Sequence, residues 1–209
     1  MNDAQGVRGA GIAWDDLSPC EHLVQFYDSK ATLFETLDDF VSSGIEAGDA
    51  TIVIAVSEHI LGLETRMREH GVDLVAARWK GLYIPIDAED LLAQFMINGM
   101  PDEQAFRARI GTILELARQN GRKVRGFGEM VAILWHQGKH EALLRLEALW
   151  HAVCLEQSVK LYCAYPSPGD NPRDAQAVHD VCAAHSRVLD GNSRRKTGSD
   201  DDLVQAAAA

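Results

Sequence analysis

Short apolar runs alternate along this chain with longer segments in which apolar residues recur every three or four positions. The runs, which are rich in β-branched and aromatic residues, span residues 22–27, 50–56, 82–86, 124–127 and 161–165. Each run predicts a strand. The periodic segments predict helices, and one of them places Phe106, Ile110 and Leu114 on a single face. Strands that alternate with helices indicate an α/β fold with a mostly parallel sheet.

The predicted helices begin and end at residues that typically start or stop a helix. They cover residues 30–47, 58–70, 88–97, 101–120, 130–136, 175–189 and a segment from 139 onward. Ser57 is placed to cap the second of them. Residues 72–77 fit neither pattern. Pro85 cannot donate a backbone hydrogen bond, so the strand at 82–86 is predicted at a sheet edge or a bulge.

Residues 124–166 contain the clearest supersecondary unit. A strand ends at Gly128-Glu129, a short helix and a glycine turn follow, and a longer helix then carries Leu146 and Trp150 on one face. A second short strand closes the unit before Pro166. Two strands joined by a long helical crossover predict a parallel βαβ unit.

Charge and cysteine usage narrow the class of protein. The chain has 20 basic and 31 acidic residues and a formal charge of −11, which argues against direct nucleic-acid binding because that needs clustered Lys and Arg. Its four cysteines form no CxxC pair, and neither a signal peptide nor an apolar run of about 20 residues occurs. These features predict a cytoplasmic protein with free thiols and no membrane insertion. We expect a flexible arm at residues 1–18, one domain at 19–190 and a disordered tail at 191–209.

Five groups of short motifs occur in a characteristic order. The first is HLVQFY at His22–Tyr27, and the second is GEM at Gly128–Met130 with the LW that follows it. The third is LE and LW in the helix after a glycine turn, the fourth is CAYP at Cys163–Pro166, and the fifth is VCAAHSRV at Val181–Val188. Over residues 18–190 this order resembles the MEDS domain, the sensory domain named after methanogens, methylotrophs and the dichloromethane repressor DcmR. The resemblance implies a three-layer sandwich related to KaiC and RecA-like ATPases. It also implies sensing in transcription or two-component signalling.

The turn after the first strand lacks a phosphate-binding loop. Residues 26–33 read FYDSKATL, and no glycine occurs between Val24 and Phe40 to expose backbone N–H groups to a phosphate. Lys30 alone cannot replace such a loop. The chain is therefore not predicted to be a P-loop ATPase, and no cofactor is predicted.

Ligands of open parallel sheets bind outside the carboxyl ends of the strands. Polar and aromatic residues at those ends, together with the H-x(3)-FY motif, form the predicted ligand-binding set: His22, Phe26, Tyr27, Ser57, Glu58, Glu129 and Tyr165. Aromatic rings would bury apolar ligand surface, and polar groups would fix its orientation. The inclusion of His22 is strengthened by the resemblance, because the same H-x(3)-FY pattern recurs in MEDS domains.

Four of these residues also have a purely structural interpretation. Glu129 could cap the helix that begins at Met130, the two tyrosines could pack at the sheet edge, and His22 could be a satisfied core residue. In a rival, enzymatic interpretation, Glu129 is a general base and His22 or Tyr27 is the acid. No residue is predicted to be catalytic.

Histidines and cysteines also raise the question of a metal site. His179, Cys182 and His185 lie on the last predicted helix, and Cys20 and His22 lie near the start of the chain. Residues spaced by three drift around a helix axis, so the first three are poorly placed to reach one ion. No metal site is predicted, and Cys182 is interpreted as a small buried residue.

These observations predict a small-molecule-sensing regulatory module rather than an enzyme. It would bind a small organic ligand and act in trans on a signalling partner, such as a histidine kinase or a transcription regulator, since only a tail is expected after residue 190. Trp135, Leu149, Trp150 and Val153 are mostly core candidates, and one of the tryptophans could mark a partner or homodimer face. A ligand-free interaction subunit is the remaining alternative.

Overall fold

The computed structural model describes residue 12, residues 14–168 and residues 172–189, and its centre is a six-stranded sheet. The strands are β1 His22–Tyr27, β2 Ala50–Ala55, β3 Tyr83–Asp87, β4 Met96–Ile97, β5 Met100–Pro101, β6 Val124–Gly128, β7 Lys160–Pro166 and β8 Arg187–Leu189. The sheet order is β3-β2-β6-β7-β1-β8, and β4 and β5 form a separate antiparallel hairpin. All pairings within the large sheet are parallel. The predicted α/β class is confirmed.

Helices cover both faces of the sheet. They are α1 Lys30–Ala47, α2 Ser57–Glu69, α3 Leu74–Trp79, α4 Ala88–Ala93, α5 Glu103–Ala117, α6 Met130–His136, α7 His140–Gln157 and α8 Pro172–Ala184. Helices α1 to α3 pack on one face, where Leu33 and Leu63 share a core cluster with Phe127 of β6. Helices α4 to α8 pack on the other face, where Leu146 shares a second core cluster with Leu161 of β7. The result is the three-layer sandwich that the resemblance implied.

The predicted parallel βαβ unit is confirmed. Strands β6 and β7 are adjacent and parallel, with Arg125 opposite Lys160, and α6 and α7 form the crossover between them. Strand β3, with Pro85, lies at one edge of the sheet, as its missing N–H required. Helix α1 ends where predicted, because Gly48 adopts the left-handed conformation (φ 78°) at its C-cap.

Three local predictions need correction, and one unassigned segment can be assigned. The helix predicted over residues 88–97 ends at Ala93, and residues 96–97 form strand β4. The last helix ends at Ala184, and residues 187–189, expected to be helical, form β8 beside β1. Ser57 does not cap α2, because Val56 holds the N-cap position without a side-chain hydrogen bond and the Ser57 hydroxyl bonds Asp87 instead. The unassigned segment 72–77 supplies most of α3.

The expected N-terminal arm is partly packed. Trp14 and Leu17 are buried, and the Trp14 ring lies edge-on to Phe40 at 4.9 Å. Residues 1–11, residue 13 and the expected tail from 190 onward lie outside the described residues. Within the described part of the chain, none of the helices combines the length and the apolar character that a membrane span requires.

Candidate functional site

The seven predicted ligand-binding residues do not line one rim. Side chains alternate across a strand, so His22 and Phe26 of β1 point towards helices α4 to α8, while Tyr27 belongs to the α1 to α3 side. Tyr165 lies on the same side as Phe26. The structure therefore divides the set into a group at the carboxyl edge and a group beneath α7 and α8.

Glu129 is the centre of the carboxyl-edge group. Its backbone N–H donates to Ile54 at 2.9 Å, and its carboxylate accepts the Val56 N–H at 3.0 Å. The other carboxylate oxygen accepts a hydrogen bond of 2.5 Å from Nδ1 of His59. The alternative in which its side chain caps α6 is wrong, because Glu129 holds the N-cap position without a side-chain hydrogen bond to that helix. The carboxylate instead joins the end of β6 to the end of β2.

Charged and aromatic side chains surround this pair. Phe34 lies edge-on to His59, with ring centroids 5.6 Å apart. Burial, and then the charge of Glu129, raises the pKa of Tyr27 to about 12. Further out, the exposed Lys30 and Glu58 form an ion pair of 2.7 Å. The hydrogen bond from Lys30 keeps the pKa of Glu58 below its usual range.

The Lys30–Glu58 pair spans the strand ends between which Glu129 lies. Lys30 begins the helix after β1, and Glu58 lies in the first turn of the helix after β2. Strands β1 and β2 are separated in the sheet by β6 and β7, and three strand spacings amount to roughly 14 Å. The pair therefore bridges the carboxyl ends of the two intervening strands.

The second group contains an aromatic contact and a buried polar cluster. Tyr165 stacks on Phe26 and meets Trp135 edge-on, with ring centroids 5.6 Å apart in both cases. The Tyr165 hydroxyl donates to Oε1 of Glu147. Glu147 belongs to the cluster, hereafter the polar cluster, which comprises His22, Glu147, Cys163 and His185. All four side chains are of kinds that bind metal ions.

The polar cluster is closely spaced and shut off from solvent. Nε2 of His22 lies 3.4 Å from Sγ of Cys163 and 3.4 Å from Oε2 of Glu147. The rings of His22 and His185 are 4.0 Å apart, and Nε2 of His185 lies 3.5 Å from the same carboxylate oxygen. The side chains of both histidines and of Glu147 have no exposed surface.

Burial shifts every ionisable group of the polar cluster towards its neutral form. It raises the pKa of Glu147 to about 8 against the opposing hydrogen bond from Tyr165. Burial, followed by the nearby Glu147, raises the pKa of Cys163 well above its usual value. Burial lowers the pKa of His185 to about 4, and burial together with the neighbouring His185 and His151 lowers that of His22 to about 2.

The structure brings together only part of the histidine and cysteine set considered from the sequence. His22 and His185 meet in the polar cluster, whereas the side chain of His179 is 76% exposed. Cys182 is half-buried rather than a core residue, and Cys20 contacts the Leu155 carbonyl at 3.9 Å. The helix-drift argument correctly separates His179 from His185, but it did not anticipate ligand-type side chains from other elements.

Two functional candidates, Glu147 and Cys163, were missed, and His59 was left out of the ligand-binding set although it follows Glu58 at the end of β2. Glu147 carried a readable signal, because it lies within the apolar stripe of α7, four residues after Leu143 and three before Trp150. A carboxylate on such a stripe is buried and needs partners. Cys163 lies two residues from both Leu161 and Tyr165 in β7, so the three side chains share one face of the strand. Nothing in the sequence indicates which helix covers that face.

The apolar residues considered for a partner face are mostly core. Leu149, Trp150 and Val153 are buried, and Trp135 is partly buried against the same core. The tryptophan with the largest exposed fraction among those described is Trp79 of α3, at 87%.

Comparison with known proteins places the chain in a family. The MEDS family, described as MEthanogen/methylotroph, DcmR Sensory domain, matches residues 21–186. No curated protein matches the chain significantly. The matched segment begins just before β1 and ends just before β8, and so it includes both the carboxyl-edge group and the polar cluster. Since the match covers far more than half of the 209 residues, the chain belongs to the MEDS family of sensory domains.

Proposed function

We propose that this chain is a regulatory module that binds a small organic molecule at the carboxyl edge of its sheet. The contact between Glu129 and His59 supports this proposal most directly. Both residues are buried, and the pair lies at the end of two parallel strands, where open α/β sheets bind ligands. A ligand hydroxyl, amine or carbonyl could exchange hydrogen bonds with this pair, while Phe34 offers apolar surface.

The same contacts provide a route for transmitting the bound state. Glu129 links β6 to β2 and α2, and the exposed Lys30–Glu58 pair links α2 to α1. A ligand that displaces His59 from Glu129 would alter the position of α2 relative to the sheet. We propose that a signalling protein, such as a histidine kinase or a transcription regulator, detects this change in trans.

An enzyme on the same scaffold is the second candidate, and the contact of Glu129 with a histidine favours it. That histidine is His59. His22, the acid named for this alternative, contacts Cys163 and Glu147 in the other layer instead, so Tyr27 would have to serve. Turnover that depends on both Glu129 and Tyr27 would support an enzyme. Binding without turnover supports a sensor.

Native mass spectrometry of freshly purified protein, followed by thermal-shift screening against nucleotides and small alcohols, amines, aldehydes and carboxylates, tests the proposal. We expect a retained molecule or a stabilising compound, since a ligand that binds only the folded state raises the melting temperature. Glu129→Gln should abolish that shift without unfolding the chain. Glu64→Gln changes a buried carboxylate that pairs with Arg68 and Arg78, and should retain the shift.

Two results would contradict the proposal. The first is a chain that carries no small molecule and whose melting temperature no compound changes, which would favour the ligand-free interaction subunit. The second is a ligand shift that is the same in Glu129→Gln as in the unaltered chain. That result would move the binding site away from the carboxyl edge.

A further inference from the structure

We propose that the polar cluster is a binding site for one divalent transition-metal ion, with Zn²⁺ as the best match to its ligands. The site lies beneath α7 and α8, on the opposite side of the sheet from α1 and α2, and it is independent of the function proposed for the carboxyl edge. Its four residues come from four elements: the first residue of β1, the middle of α7, the middle of β7 and the turn after α8.

The spacing of the ligand atoms fits tetrahedral coordination. Zinc–nitrogen and zinc–oxygen bonds of about 2.0–2.1 Å and zinc–sulfur bonds of about 2.3 Å place tetrahedral ligand atoms roughly 3.3–3.8 Å apart. The three distances within the polar cluster that link neighbouring ligand atoms are 3.4, 3.4 and 3.5 Å. All four ligand atoms lie within 4.8 Å of one another, so small side-chain rotations would complete the geometry.

Hydrogen bonds outside the cluster orient two of the ligands towards its centre. Nδ1 of His185 lies 2.7 Å from the carbonyl oxygen of Val181, and because a carbonyl only accepts, Nδ1 carries the proton. Neutral His185 therefore presents the lone pair of Nε2 to the cluster. Tyr165 occupies Oε1 of Glu147 and leaves Oε2 directed at the histidines. A histidine that donates its second nitrogen to a backbone carbonyl is typical of metal ligands.

Three buried atoms of the polar cluster have no hydrogen-bond partner within the described part of the chain: Nδ1 of His22, Oε2 of Glu147 and Nε2 of His185. The last two face each other at 3.5 Å. Two lone pairs that meet in a solvent-free interior are unfavourable unless a proton or a cation lies between them. A metal ion would satisfy both atoms and His22 and Cys163 as well.

The charge of the cluster also suits a divalent ion. Ionised Cys163 and Glu147 would contribute two negative charges, and the two histidines would be neutral. A divalent cation makes the sum zero, which removes the cost of leaving either anion unpaired in the interior. Imidazole and thiolate ligands favour zinc and its neighbours over Mg²⁺ or Ca²⁺. With four protein ligands, the tetrahedral site is closed to water, as in structural zinc sites.

Titration of Co²⁺ into the reduced, metal-free chain, purified without a histidine tag, tests the site. We expect one Co²⁺ per chain, visible absorption bands of tetrahedral intensity and a near-ultraviolet thiolate-to-cobalt charge-transfer band. Equimolar Zn²⁺ should displace the cobalt and raise the melting temperature. A wild-type chain with native circular dichroism that shows no cobalt bands would overturn the proposal.

Two cysteine variants identify the thiolate. Cys163→Ser should lose the charge-transfer band, whereas Cys182→Ser, which alters the helix that precedes His185 but not the cluster, should keep it. The reverse pattern would assign the metal to the His179-Cys182-His185 motif and overturn the proposal. If Cys163→Ser does not fold, His22→Gln provides the same test, because His22 belongs to the polar cluster and not to that motif. It should weaken Co²⁺ binding by at least about tenfold and remove the stabilisation by Zn²⁺.

The metal site and the proposed sensory function can fail separately. Glu129→Gln should bind Co²⁺ with the same spectrum as the unaltered chain, because Glu129 lies outside the polar cluster. A normal cobalt spectrum without any organic ligand would support the metal site alone. A bound organic ligand in a chain that gives no cobalt spectrum would support the sensor alone and overturn the metal site.

Discussion

Glu129 and His59 are 70 positions apart in the chain, yet the Glu129 carboxylate lies 2.5 Å from Nδ1 of His59. The same carboxylate accepts the backbone N–H of Val56 at 3.0 Å. One side chain thus ties the end of β6 to the end of β2 and the first turn of α2. It contributes to the stability of the sheet edge as well as to the proposed site.

Removal of the Glu129 carboxylate should separate these two contributions. Glu129→Ala leaves two buried donors without acceptors, and we expect it to lower the free energy of unfolding by roughly 2–4 kcal/mol. Glu129→Gln retains one acceptor and should lower the free energy of unfolding by less than half as much. Urea unfolding of both variants measures the difference, with the exposed Glu115→Ala of α5 as a neutral control. Equal losses in the two Glu129 variants would mean that charge, rather than hydrogen bonding, holds the edge together.

Alkaline pH should destabilise the chain through its buried tyrosines. The pKa of Tyr27 rises from 10.0 to about 12 on folding, so the native state binds more protons than the unfolded state between these values. The corresponding stability is fully present below pH 10 and is lost as the pH rises towards 12. Urea unfolding across this pH window should show that the free energy of unfolding falls as the pH rises. Tyr27→Phe should make this fall less steep. An unchanged slope in Tyr27→Phe would assign the effect to the other buried tyrosines.

Gly44 is required by close packing between α1 and the sheet. A Cβ at this position would overlap Oγ1 of Thr51 and lie 2.8 Å from Cδ of Arg125, and both neighbours are fully buried. We expect Gly44→Ala to destabilise the chain by roughly 1–3 kcal/mol. Gly111→Ala is the matched control, because a Cβ there meets nothing within 4 Å, and it should stabilise α5 by about 0.5–1 kcal/mol. Thermal melts of the two variants should therefore shift in opposite directions.

Arg125 and Asp49 form a buried ion pair whose loss should be costly. Nη2 of Arg125 lies 2.5 Å from Oδ2 of Asp49, and the arginine side chain is 1% exposed. Asp49→Asn removes a carboxylate from a buried guanidinium, and we expect a loss of roughly 3 kcal/mol in the free energy of unfolding. The double variant Asp49→Asn, Arg125→Met should recover part of this loss in urea unfolding. No recovery would show that Arg125 stabilises the fold mainly through its other contacts, such as the hydroxyl of Ser43.

The sequence predicts most of the elements because their apolar period is local. Strand β2 is a continuous apolar run, and α5 keeps its stripe from Phe106 to Ala117, so neither depends on distant residues for its assignment. Strand β8 is only three residues long, and Val188 is 49% exposed. It is a strand because β1 offers it a free edge, which is a property of the sheet and not of the segment.

The site was less predictable because it depends on which elements lie opposite one another. The carboxyl ends of strands correctly indicated that Glu129 and Tyr27 lie on one edge. Which histidine reaches Glu129 depends on the orientation of α2, and the sequence does not specify it. The polar cluster could not be predicted for the same reason, since Glu147 and Cys163 belong to different elements that only packing brings together.

Strand β8 makes the two ends of the domain meet at His22. The backbone of Ser186 donates to the His22 carbonyl at 2.8 Å, and its hydroxyl accepts the His22 N–H at 2.9 Å, across 164 positions of the chain. During synthesis, His22 is made early, whereas His185, the last residue of the polar cluster, is added only after nearly the whole domain has been synthesised. Completion of this cluster therefore requires a chain that extends through His185, and a chain interrupted before that residue lacks it.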